Sequence, residues 1–168
     1  MIKTILKNGV PLLEQSIQSV ALFDQQLLDH VSDMIETMRY YHGVGLAANQ
    51  IGINQRIVII EVNQNPRYPE QSRIPLMVLI NPQIEMIGNF KESYMEGCLS
   101  IPNYRGEVLR NKSIKYQAFD QFGNQISGIV DGFLARIIQH ELDHLNGILF
   151  TQRMDNSIAS EVNKDIVQ

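Results

Sequence analysis

The chain has 168 residues, 44% hydrophobic and 19% charged, with a formal net charge of −4 and a single cysteine. That length suits one domain with a real core, and the absence of a basic cluster gives no footing for direct nucleic-acid binding. One cysteine cannot form an internal disulfide. The opening run Met1-Ile2-Lys3-Thr4-Ile5-Leu6-Lys7-Asn8 has neither a long apolar stretch nor a cleavage site, so no signal peptide and no transmembrane span is expected.

Residues 1–23 read as irregular, with Pro11 and scattered apolar anchors. Asp24 is an N-cap residue type. After it, Leu27, Leu28, Val31, Met34, Ile35 and Met38 recur at threes and fours, predicting an amphipathic helix to about Tyr41 whose methionine stripe faces the core. Gly43 is placed as its end. The stretch Gly43-Val44-Gly45-Leu46-Ala47-Ala48-Asn49-Gln50 is small and mostly apolar. Arg56 to Val62 reads as a buried strand, and Asn63 to Ile74 as a polar loop carrying Pro66 and Pro69. Further strands are expected at Leu76 to Ile80, closed by Asn81-Pro82, and at Ile84 to Ile87. Ser113 to Phe119 should form a hairpin with Gln125 to Val130 across the turn Asp120-Gln121-Phe122-Gly123-Asn124. Asp131 can cap a last helix over Gly132 to Asn146, ended by Gly147. Its apolar residues (Phe133, Leu134, Ile137, Ile138, Leu142, Leu145) lie on most sides, so it should be central and buried. The sum is an α+β fold, antiparallel β-strands surrounding one core helix.

That last helix carries His140-Glu141-Leu142-Asp143-His144. Histidines at i and i+4 share a helix face about one turn apart and can grip one metal ion. Shuffling this composition gives roughly 0.006 such patterns per chain. Burying two imidazoles and a carboxylate merely as packing would be costly.

Two histidines leave a catalytic metal one protein ligand short. In the metzincin continuation, Phe150 stands where a third His would be, and no His or Cys follows. Glu161, in a polar tail, is the poorer downstream donor. Upstream, Cys98 in Glu96-Gly97-Cys98-Leu99-Ser100 is the better one; His30 on the polar side of the first helix and His42 at its end compete less well. A metal on Cys98, His140 and His144 would keep one open position, where water becomes acidic enough for Glu141 to take its proton and attack a carbonyl. Sulfur and imidazole donors suit iron as well as zinc. For the oxyanion of such an attack, the Gln50 amide and the backbone N–H of Leu99 are available donors.

Three segments together resemble the peptide deformylases, whose motifs are G-x-G-L-A-A-x-Q, E-G-C-L-S and Q-H-E-x-D-H. Here they read Gly43 to Gln50, Glu96 to Ser100 and Gln139 to His144, in order, spanning about residues 43–147. The resemblance implies a single catalytic domain over 1–168, with a short C-terminal tail from about residue 150, and hydrolysis of the N-formyl group of formyl-methionyl nascent polypeptides with release of formate. It implies metal ligands Cys98, His140 and His144, base and acid Glu141, and oxyanion contacts from Gln50 and the Leu99 amide. It also implies Fe(II) as the native ion, replaceable by Zn(II) or Ni(II), and bacterial-type cytoplasmic work. The methionine side chain would enter an apolar pocket lined by Ile137. The peptide backbone would pair with Val44-Gly45 on one side and Gly97-Leu99 on the other. Arg105 matches an arginine that follows the second motif and either orients Glu96 or is an ordinary surface residue.

Two departures stand out. The family's D-P-x-L-R-like run is only loosely matched by Gly9-Val10-Pro11-Leu12-Leu13-Glu14, which touches the packing of the first 20 residues rather than the chemistry. The tail after Phe150 sets Arg153 and Lys164 against Asp155, Glu161 and Asp165, so ribosome docking by a basic helix is not carried over. The competing readings are a zincin-type endopeptidase, opposed by the missing third His, and a structural metal domain, which would need four protein ligands.

Overall fold

The computed structural model describes residues 1–161 and, beyond Met154, the backbone alone. Helices α1 (Gln25–Tyr40) and α2 (Gly132–Leu145) accompany strands β1 (Gly45–Ala47), β2 (Ile57–Val62), β3 (Ile74–Cys98), β4 (Ile101–Phe119), β5 (Gln125–Asp131) and β6 (Met154–Glu161). The strands form one antiparallel sheet in the order β1-β2-β3-β4-β5, with β6 added beside β4. The fold is α+β. No described helix is long and apolar enough to cross a membrane.

Strand alternation sends successive side chains to opposite faces, and here both faces are covered. Ile57, Ile59, Val78 and Ile80 pack against Leu27, Val31, Met34 and Met38 of α1, so the methionines are core residues. Val58, Ile60, Val62 and Leu79 pack against Ala135, Ile138, Leu142 and Leu145 of α2. Covering on both faces explains why β2 opens on four consecutive buried apolar residues, Ile57 to Ile60, and why every residue of α2 from Ala135 to Leu145 is buried.

Three boundaries differ from expectation. The Asp24 carboxylate caps α1 by accepting from Leu27 N–H at 3.0 Å, but Gly43 is not the terminating residue. His42 takes the left-handed conformation (φ 54°), and Gly43 N–H returns to Met38 C=O at 2.9 Å. Asn81-Pro82 does not close a strand. Asn81 (φ 50°) absorbs a bulge inside the 25-residue β3, its carboxamide bridging the Val20 backbone at 2.8 and 3.0 Å. Asp131 is the N-cap of α2 by position, without a side-chain cap. Gly147 does follow the end of α2, in left-handed backbone, and a Cβ there would lie 2.6 Å from Gln15 N. Residues 162–168, including Lys164 and Asp165 of the tail, and the Glu161 side chain lie outside the described residues.

Candidate active site

Strands β3 and β4 are joined by the two-residue turn Leu99-Ser100, with Cys98 paired to Ile101. The Glu-Gly-Cys-Leu-Ser segment is therefore the closed end of a long hairpin. This end packs against the face of α2 that carries His140 and His144. Sγ of Cys98 and one nitrogen of each histidine lie within 4.8 Å of one another, all three residues buried. Cys98 Sγ is 3.2 Å from His144 Nε2. An ion with bonds of about 2.0–2.3 Å to N and S fits a donor set that compact. Glu141, one residue beyond His140 and also buried, has its Oε2 without a partner, as expected of a carboxylate waiting on something small and polar. Among the described residues no other cluster of this kind occurs; His30 binds Gln55 at 3.1 Å and His42 sits in the loop after α1.

Burial alone would push the Cys98 thiol up; the His144 charge and the hydrogen bonds of both imidazoles outweigh it and hold the thiol well below its ordinary range. That favours the thiolate, the form that ligates. Burial pushes the Glu141 carboxyl up, against the pull of the two imidazoles.

His140 is oriented from behind. Its Nδ1 meets Glu96 Oε1 at 2.8 Å, which leaves Nε2 for a ligand. Glu96 in turn receives Arg110 through Nε at 2.7 Å and Nη2 at 2.9 Å, and Arg136 Nη1 at 2.5 Å. Burial would raise the Glu96 carboxyl, but the hydrogen bonds from His140 and Arg110 outweigh it and keep the group well below the usual carboxylate range. Arg110 Nη1 continues to Asp143 at 2.9 Å, which Arg153 also contacts at 3.1 and 3.2 Å. Arg105 does not orient Glu96. In the hairpin register Glu96 faces Gly106 and Gly97 faces Arg105, so Arg105 projects from the opposite face. Its guanidinium lies 5.7 Å from the Tyr68 ring centroid, and its Nε is buried without a partner among the described residues. Phe150 stacks on His140, ring centroids 6.0 Å apart: where a metzincin would add a ligand, this chain adds packing.

Gln50, Leu99, Val44, Gly45, Gly97 and Ile137 all line one cavity of about 50 Å³ with Cys98, His140 and Glu141. Gln50 is held by Ala47 N–H to its Oε1 at 2.9 Å, which turns Nε2 toward Ser100 Oγ (3.1 Å) and Cys98 Sγ (3.6 Å). The Val44 carbonyl already accepts from Glu61 N–H at 3.0 Å, so at this point its neighbour Gly45 has the backbone turned away from β2. A Cβ on Gly45 would come 2.5 Å from Glu141 Oε1 and 2.9 Å from Ile137 Cγ2. Gly45→Ala should displace the carboxylate and cut kcat roughly 10–100-fold at unchanged metal content; a fully active variant would show that the Glu141 position is not critical.

Reasoning from sequence missed Arg110, Arg136 and Asp143. Asp143 lies inside the helix motif but had no partner to suggest its role, and the two arginines needed the hairpin register.

A family model described as polypeptide deformylase matches residues 2–159. Peptide deformylase 1 of Nitrosomonas europaea is 45% identical over 93% of this chain and 89% of its own length. Peptide deformylase 2 of Ralstonia nicotianae is 43% identical over the same shares. Among solved structures, a class I type b peptide deformylase from Acinetobacter baumannii, bound to Met-Ala-Ser, superposes with a TM-score of 0.88 at 36% identity, covering 92% of this chain and 99% of that one. One from Synechococcus elongatus, in complex with actinonin, gives 0.82 at 38% identity over 90% and 78%. The chain belongs to the polypeptide deformylase family, metal-dependent hydrolases of linear amides that remove N-terminal formyl groups.

Proposed function

We propose that the substrate is a nascent peptide beginning with formyl-methionine, and that the reaction runs on Cys98, His140 and His144 as ligands, Glu141 as base and acid, and Gln50 with the Leu99 N–H as oxyanion donors. When bound by those residues, a divalent ion would supply Lewis acidity and make water more acidic. Glu141 takes a proton as water adds to the formyl carbon. Gln50 Nε2 and Leu99 N–H donate to the carbonyl oxygen as negative charge collects there. When the C–N bond breaks, formate leaves and Glu141 returns the proton to the amine nitrogen. The observation that carries this reading is the convergence, in one cavity, of a compact S,N,N donor set, an unpartnered buried carboxylate oxygen and a fixed amide donor.

The substrate backbone fits as an added strand between the open edge of β1 at Gly45 and the edge of β3 at Gly97, which β2 leaves uncovered beyond Ile80. The methionine side chain then lies along Ile137 and Phe133. Fe(II) is the ion we assign, and the thiolate ligand suits a reducing cytoplasm. The test is formate release from formyl-Met-Ala-Ser by protein loaded anaerobically with Fe(II), beside Zn(II)-loaded protein and casein as an endopeptidase control. Casein cleavage without formate release would overturn the reading. In cobalt-loaded protein, Cys98→Ser should abolish the thiolate charge-transfer absorption; an unaltered spectrum removes Cys98 from the ligand set.

A further inference from the structure

We propose that Lys7 is a positioning residue for the reaction, fixing the Leu99-Ser100 turn that carries one oxyanion donor; the inference rests on the assignment of Gln50 and the Leu99 N–H as those donors. The loosely matched N-terminal segment lies directly across both. Leu6 N–H donates to Gln50 C=O at 2.7 Å, Lys7 Nζ donates to Leu99 C=O at 2.8 Å, and Asn8 N–H donates to Ser100 C=O at 2.9 Å. Gln50 Nε2 donates to Ser100 Oγ at 3.1 Å and closes the ring. Three consecutive residues thus hold the two donors at a fixed spacing, although Gln50 and Ser100 are 50 residues apart in the chain.

The turn is where such a hold matters. Leu99 and Ser100 are the two central residues between the paired Cys98 and Ile101. The orientation of the peptide plane joining them is what separates the common turn types, and Ser100 is not in the positive-φ backbone that the flipped orientation would require. The carbonyl on that plane is the Leu99 C=O that Lys7 engages. A charge-assisted hydrogen bond there selects one orientation. With that plane fixed and Cys98 held in the β3–β4 ladder, the Leu99 N–H on the preceding plane has one direction rather than a range. Lys7 is itself exposed and lies outside the core clusters, and among the described residues its ammonium donates to this carbonyl. Its ammonium therefore serves the turn, no ion pair to it being present among the described residues, and its replacement leaves the core intact.

The experiment uses metal-loaded parent, Lys7→Met, Lys7→Arg, Gln50→Ala and, as a control lysine away from the site, Lys3→Met. Formate release from formyl-Met-Ala-Ser gives kcat and KM; affinity for Met-Ala-Ser, metal content and the thermal midpoint are measured on the same preparations. Losing an oxyanion donor outright costs about 10²–10³ in kcat, so a donor that is merely loosened should cost Lys7→Met roughly tenfold. KM, product affinity and metal content should stay within about twofold of the parent, Lys7→Arg should recover most of kcat, and Lys3→Met should match the parent. A Lys7→Met kcat within about twofold of the parent, while Gln50→Ala is crippled, overturns the role of Lys7 and leaves the oxyanion assignment standing. A fully active Gln50→Ala overturns that assignment and this inference with it. Parallel losses of product affinity, metal and thermal midpoint in Lys7→Met would overturn positioning in favour of a general structural role.

Discussion

Glu141→Ala is expected to lower formate release by roughly 10²–10⁴-fold, the usual worth of a positioned base, with the metal content of the parent retained. The two halves of the result have separate causes. The three candidate donor atoms come from Cys98, His140 and His144 and do not include the carboxylate, so its removal leaves the ion its ligands. The carboxylate has a buried oxygen without a partner among the described residues and lies directly against Gly45, so its removal takes away a proton acceptor that bulk water cannot easily replace in so enclosed a site. Metal analysis and kcat from one preparation decide the matter. Full metal with near-parent activity would take the base role from Glu141; loss of metal as well would make it a support for the ligands.

Arg110→Ala should be the most destabilising single change near the site. The guanidinium is 6% exposed and holds Glu96 with two nitrogens and Asp143 with a third. Removing one partner of a buried pair strands the other and costs about 3–5 kcal/mol, which for a chain of this size is roughly 6–20 °C in thermal midpoint. Arg136 and His140 still reach Glu96, and Arg153 still reaches Asp143, so the lower half of that range is expected. Because Glu96 sets the His140 ring, metal affinity should fall about 10–100-fold as well. Thermal unfolding of metal-loaded protein, followed by chelator titration, reads both. A midpoint lowered by less than about 2 °C would mean that the network does not fasten the hairpin to α2.

Much of this was legible in the chain. Periodicity marked α1 and α2, and the apolar residues Ile57 to Ile60 with Val62 marked β2. The spacing of His140 and His144 announced a metal-binding helix face, and the Gly97-flanked cysteine supplied the missing donor. The stretch from Gly88 to Lys112 was not legible as strand. Several of its buried positions are themselves charged, Glu96 and Arg110 among them, and large apolar residues such as Phe90, Tyr94 and Leu109 are exposed, so no apolar alternation announces it. The two readings of Arg105 could not be separated for a related reason: side-chain parity is set by register, and register becomes visible only once the hairpin is closed. The N-terminal segment misled in another way. It bears no motif, yet its backbone and Lys7 lie against Gln50 and the Leu99-Ser100 turn; contacts made by main-chain groups leave almost no trace in residue identity.

The distance along the chain between the metal-binding side chains has a kinetic consequence. Cys98 and His144 are 46 residues apart, and the ring around Gln50 reaches back to residues 6–8. No local fragment contains the centre, so it must await non-local pairings that carry a loop-closure cost. Metal capture is then a late event, following the closing of the long hairpin on α2. An ion held by these three residues would cross-link distant segments, and its escape from the native protein would be governed by large-scale opening rather than by the fraying of one loop.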